Sequence, residues 1–164
     1  MISTALVSFG MSGKVFHAPF IDSNPKFNLV GSWERSAKNI EAAYPGTKSY
    51  VSYEELLADP IIDLVVVNSP NDTHFTFAKS ALLAGKHVVV EKAFTVTAKE
   101  AEELDVLAST KGLKLAVYQN RRYDADFLTI QKLIQEDEIG VLQDVQISFE
   151  RYRTTLSPKK HKES

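Results

Sequence analysis

Thr4-Ala5-Leu6-Val7-Ser8-Phe9-Gly10-Met11-Ser12-Gly13 opens the chain with a short apolar run that breaks at two glycines. The run predicts a buried strand, Thr4–Phe9, and the residues after Gly13 predict a helix, Gly13–Ser23. The dinucleotide fingerprint G-x-G-x-x-G falls on positions 8, 10 and 13, so two of its three glycines are present. Gly10 lets backbone approach a diphosphate, and Gly13 lets helix pack against strand; amides at the helix start then face the phosphates. Ser8 replaces the glycine of the tight turn, and serine is small enough to keep it. Glu34 ends the next apolar run about 20 residues after Gly13, where the fingerprint expects an acid.

The same alternation continues outward. Strands are expected at Phe27–Glu34, Lys48–Val51, Ile62–Asn68, His87–Val90 and Leu113–Tyr118. Helices are expected at Ser36–Tyr44, from the Ser52 and Glu55 capping box to Ala58, at Thr73–Ala84 and at Thr97–Lys111. Leu64-Val65-Val66-Val67 is apolar without alternation, as a strand covered on both faces requires. Strands separated by helices predict a Rossmann-like, doubly wound parallel α/β sheet over residues 1–120. The rhythm then changes. Arg122–Asp137 predicts one helix, and Val141–Tyr152 alternates apolar with polar residues, predicting a strand with one wet face. Residues 121–153 thus read as the opening helix and strand of an α+β substrate or oligomerisation domain. Residues 154–164 read as a polar, disordered tail.

Composition narrows the function. The 164 residues are 44% hydrophobic and 24% charged, with a net charge of −2 and no cysteine. No overall basic field points to nucleic acid. No apolar window is long enough to span a membrane, and no secretory signal is visible, so a cytoplasmic protein is expected. The lack of cysteine removes disulfides, thiolate metal sites and a cysteine nucleophile. No metal-ligand spacing occurs, and Ser12 and Ser69 lack an evident His–acid pair.

Ligands of open parallel sheets bind beyond the carboxyl ends of the strands. Three such ends carry polar groups: Asn68-Ser69-Pro70-Asn71-Asp72-Thr73-His74, then Glu91-Lys92-Ala93, then Gln119-Asn120-Arg121-Arg122. Ala84-Gly85-Lys86-His87-Val88-Val89-Val90-Glu91-Lys92 resembles the A-G-K-H-V-x-x-E-K-P motif of the Gfo/Idh/MocA oxidoreductases, the glucose–fructose oxidoreductase and inositol dehydrogenase family. The two other strand ends are similar to segments of that family, and the resemblance runs to about residue 153.

The resemblance implies roles. Lys92 would be the catalytic residue, placed by nicotinamide and substrate to assist proton transfer, and Glu91 would contact the cofactor. Ser69, Pro70, Asn71 and His74 would line the cofactor's ribose side. Asn120 and Arg121 would lie near the nicotinamide. With Ser8, Phe9, Gly10, Met11, Ser12 and Gly13 of the turn, and Glu34 and Arg35 at the second strand end, these form the expected cofactor site. The cofactor would be NAD or NADP. Glu34 favours NAD, because a carboxylate accepts from ribose hydroxyls and repels a 2′-phosphate; Arg35 keeps NADP open. The reaction implied is hydride transfer to or from a sugar, polyol or related small molecule.

Two departures matter. Ala93 stands where the family has proline, so a trans peptide after Lys92 is expected. The family's second-domain Asp and His have no counterpart here, so the chain reads as a dinucleotide-binding half cut short. The competing reading is a non-catalytic chain that binds a dinucleotide or pairs with another subunit. An unpaired edge at Val141–Tyr152 would favour a homo-oligomer. Phe16 and His17 read as packing residues.

Overall fold

The computed structural model describes residues 1–34, 38–150, 152 and 154. It forms two compact units, Met1–Asn120 and a second beginning at Arg121. The first holds strands β1 (Ile2–Leu6), β2 (Phe27–Trp33), β3 (Lys48–Tyr50), β4 (Leu64–Val67), β5 (His87–Glu91) and β6 (Leu115–Tyr118). Among the described residues they make one parallel sheet in the order β3-β2-β1-β4-β5-β6. The order reverses between β1 and β4, and that reversal places a crevice at the carboxyl end of β1.

Period-two alternation sorts the core. Ala5, Val7, Val65, Val67, Val88 and Val90 pack on one face, with Leu56, Leu82 and Leu104 from helices α3 (Tyr53–Ala58), α4 (His74–Leu83) and α5 (Ala98–Thr110). Leu6, Leu29 and Val66 face the other way, onto Ala18 of α1 (Ala18–Ser23) and Ile40 of α2 (Ile40–Ala43). The unalternating Leu64–Val67 run is therefore apolar because both of its faces are covered. A register shift in β2 sets Ala5 opposite Gly31, where a Cβ would lie 2.0 Å from the Lys48 carbonyl oxygen.

Local signals fix the helix starts. Thr97 and Glu100 close a full capping box on α5. Ser52 accepts from the Glu55 amide (3.1 Å), but the Glu55 carboxylate takes the Val51 amide rather than that of Ser52, so the expected box at α3 is half made. The helix expected over Ser36–Tyr44 is described only as Ile40–Ala43, with Ser36 outside the described residues.

The second unit departs from expectation. The single helix over Arg122–Asp137 is instead a 3-10 turn, Asn120–Tyr123, and then α6 (Ala125–Gln135). Asp124 between them is extended (φ −67°, ψ 143°), which interrupts the helical ladder. The strand expected over Val141–Tyr152 is not formed by the described residues of that segment. A strand needs a ladder partner, and alternation alone supplies none. Residues 155–164 of the expected tail lie outside the described residues. No described helix is long and apolar enough to cross a membrane.

Candidate functional site

The turn after β1 is built on Ser8. The Asn68 side chain at the end of β4 brackets the Ser8 residue: Oδ1 accepts from its amide (2.9 Å), and Nδ2 donates to its carbonyl (2.7 Å). Ser8 Oγ accepts from the Gly10 amide (3.2 Å), so the residue that replaced a glycine stabilises the turn with its side chain. A Cβ on Gly13 would meet the Ser8 carbonyl oxygen at 2.5 Å, whereas one on Gly10 would meet only Ser8 Oγ, at 3.4 Å. Gly13 is thus a packing glycine, and Gly10 leaves an open backbone face of the kind a phosphate needs. Met11 is exposed beside it. The Phe9 side chain is buried against Tyr44, so only its backbone belongs to the turn.

The next turn carries the main surprise. Gly13–His17 is a π turn, with the Ala18 amide bonded to the Gly13 carbonyl. Ser12 Oγ donates to Glu91 Oε1 (2.7 Å), and His17 Nε2 donates to the same oxygen (2.8 Å). The Lys92 amide reaches Glu91 Oε2 (3.2 Å). Burial alone would raise the Glu91 pKa; the bonds from His17 and Ser12 outweigh it and hold the carboxyl below its usual range. Tyr118, under the His17 ring, is pushed up by burial and by the Glu91 charge. His17 is therefore more than packing. A histidine on the helix face that also buries Gly13 and Ala18, opposite a lone acid at a strand end, was the available signal.

Lys92 follows Glu91 at the rim and is exposed; among the described residues no hydrogen bond or ion pair engages its ammonium. The Lys92–Ala93 peptide is cis, which corrects the trans expectation. That expectation weighed local cost alone, whereas the Ala93 and Phe94 carbonyls are held by His74 Nδ1 (2.8 and 3.2 Å). His74 is itself fully buried, with Nε2 on the Ser69 carbonyl (2.9 Å). The expectation that His74 lines the cofactor is thereby corrected: it braces the loop after β4 against the loop after β5. Ser69, Pro70 and Asn71 stay at the rim, with the Thr73 hydroxyl between Ser69 Oγ (2.7 Å) and the Pro70 carbonyl (2.6 Å).

Glu34 is committed elsewhere. Its Oε1 accepts from the Asn39 and Ile40 amides (2.8 and 3.0 Å), so it caps α2. Arg35 lies outside the described residues. Asn120 begins the turn after β6, and Arg121 belongs to the second unit, where its guanidinium pairs with Asp124 (2.6 Å). Among the described residues no group of three His, Asp or Glu side chains is arranged to hold a metal. A cleft of about 520 Å³ lined by Asp22, Phe27 and Tyr44 opens at the opposite end of β2 from these residues.

Comparison with known proteins agrees with this geometry. A family described as "Oxidoreductase family, NAD-binding Rossmann fold" matches residues 2–119. An uncharacterized oxidoreductase of Schizosaccharomyces pombe is 46% identical over 157 residues, covering 93% of this chain and 43% of the relative. The scyllo-inositol 2-dehydrogenase (NADP(+)) of Bacillus subtilis is 38% identical over 158 residues, covering 96% of this chain and 44% of the enzyme. A crystal structure of a Bacteroides fragilis protein described as an oxidoreductase superposes with a TM-score of 0.90 at 51% identity, over 95% of this chain and 46% of that one. The chain thus spans less than half the length of the relatives it matches.

Proposed function

The chain belongs to the Gfo/Idh/MocA oxidoreductase family, and from that premise we propose that it supplies the dinucleotide-binding half of an enzyme moving a hydride between nicotinamide and a hydroxyl- or keto-bearing carbon of a sugar or polyol. One observation carries the reading. The side chain of Ser12, in the glycine turn, is hydrogen-bonded to Glu91, whose neighbour is Lys92. The candidate phosphate-binding backbone and the candidate acid–base side chain Lys92 therefore share a rim.

The residues fit a dinucleotide. The open face at Gly10 would take the diphosphate, with the amides at the start of the following turn behind it. Glu91, kept as a carboxylate, is held by Ser12, His17 and the Lys92 amide, and would fix the rim on which the cofactor lies. When bound, a nicotinamide supplies the two-electron carrier. Lys92 Nζ would hold the proton that leaves or joins the substrate oxygen, and its charge would stabilise an alkoxide there.

For the cofactor we infer NADP. Glu34 Oε1, which the case for NAD used as an acceptor of ribose hydroxyls, is already taken by the Asn39 and Ile40 amides, which weakens that half of the case and leaves the carboxylate's charge in place. The Bacillus subtilis relative is an NADP(+) enzyme by name. Fluorescence titration of the chain with NADPH and NADH tests both levels. Tighter NADPH binding is expected. Tighter NADH binding refutes the preference, and no saturable binding of either refutes the dinucleotide reading.

A further inference from the structure

Ser12 and His17 reach one oxygen of Glu91, yet they lie five residues apart. On an α-helix that spacing separates two side chains by about 140°. The Gly13–His17 turn is wider, closing from the Ala18 amide to the Gly13 carbonyl, and an i→i+5 turn brings residues five apart onto one side. His17 is only 4% exposed. Its ring lies on Tyr118 (4.5 Å between centroids, 49°), and the Tyr118 hydroxyl donates to the Phe16 carbonyl (3.0 Å). The ends of β5 and β6 and the wide turn thus close around a single carboxylate. The glycine fingerprint needs none of this: diphosphate binding asks only for Gly10, Gly13 and the helix start.

We propose that His17 is a positioning residue for the nicotinamide end of the site. With Ser12 it fixes Glu91, and through Glu91 the backbone of Lys92, relative to the glycine turn. The two halves of a dinucleotide then meet surfaces held in one register. This rests on the dinucleotide reading above. The turn gives two donors, β5 the acceptor, and β6 the aromatic surface against which the imidazole lies.

The test compares the wild-type chain with His17→Leu, His17→Gln and Ser12→Ala. Each is titrated with whichever of NADPH and NADH binds the wild type more tightly, and with 5′-AMP, which lacks the nicotinamide end. Removing a donor to a partly buried carboxylate is expected to weaken dinucleotide binding about tenfold in His17→Leu, and several-fold in Ser12→Ala. AMP affinity should stay within about twofold of wild type in His17→Leu. Glutamine can still donate, so His17→Gln should recover most of the dinucleotide affinity. Equal loss of both ligands in His17→Leu, or loss of neither, overturns the proposal, as does a glutamine variant no better than leucine. If His17→Leu fails to fold, His17→Phe decides by the same comparison. A wild-type chain that binds neither ligand refutes the dinucleotide reading and this proposal with it; unchanged variants of a binding wild type refute this proposal alone.

Discussion

Replacing Gly13 with alanine forces a methyl into space the backbone already fills. The Cβ would sit 2.5 Å from the Ser8 carbonyl oxygen and 3.1 Å from Asn68 Nδ2. Ser8 is poorly placed to retreat, because its amide and carbonyl are both held by the Asn68 side chain (2.9 and 2.7 Å). Overpacking against a fixed wall costs about 1–3 kcal/mol, and loosening the Ser8–Asn68 bond adds about 1 kcal/mol. Alanine returns about 1 kcal/mol through its better helix propensity. The net is a destabilisation of about 2 kcal/mol, or a fall in Tm of about 4–8 °C for a chain of this length. Gly10→Ala is the matched control. Its methyl meets only Ser8 Oγ at 3.4 Å, so Tm should hold within about 1 °C while dinucleotide affinity falls, because the methyl would stand on the open phosphate face. Thermal melts followed by circular dichroism, with parallel NADPH titrations, separate the two. A Gly13→Ala chain that melts like wild type, or a Gly10→Ala chain that loses as much stability as Gly13→Ala, would refute the division of labour between packing glycine and cradle glycine.

Other outcomes follow from single contacts. Glu91 has a lowered pKa in the folded chain, so its stabilising contribution is present above the usual carboxylate range and is lost as pH falls through the folded value. Stability measured by urea melts from about pH 6 down to about pH 3 should therefore decline less steeply in Glu91→Gln than in wild type; equal slopes would show that His17 and Ser12 do not favour the carboxylate. Lys86, nearly buried, donates to the Asp59 and Ile62 carbonyls (2.8 Å each), and Lys86→Met should cost about 2 kcal/mol by leaving both without that donor. A thermal melt within about 1 °C of wild type would contradict this. Thr97→Ala removes the α5 cap and should cost about 1 kcal/mol in a urea melt, with dinucleotide affinity unchanged.

What could be read from the residues alone was what depends on near neighbours. The Leu64–Val67 and Val88–Val90 runs, the Thr97 cap and the Gly10–Gly13 turn are local patterns, and their strands, helix start and turn stand where those patterns put them. What depended on distant neighbours was hidden. No local pattern says that His74 reaches the Ala93 carbonyl or that His17 finds Glu91, since these pairs join different strand ends. Glu34 illustrates the same limit: an acid at the end of β2 reads as a ribose acceptor by position, yet it caps the helix that follows. The alternation at Val141–Tyr152 failed for the complementary reason, because pattern specifies a face but a strand exists only through its partner.

Ser8, at a fingerprint glycine position, and Ala93, at the family's proline, now carry a different weight. Ser8 and Ala93 read, by themselves, as marks of a relaxed site and so favour a non-catalytic chain. The structure shows the Ser8 side chain engaged: its hydroxyl accepts from the Gly10 amide, a bond that glycine could not make. The contact at residue 93 is a backbone carbonyl accepting from the buried His74, and proline would offer it equally. Here the partners Asn68, His74 and His17 sit at the strand ends where a ligand would be gripped, and they spend buried polar side chains on holding loops rather than on filling core. Such a concentration of satisfied polar contacts at one rim is what holds a binding surface in fixed geometry. The substitution at 8 therefore weighs as an alternative way of building the same turn and no longer favours the non-catalytic reading, while Ala93 weighs for neither reading.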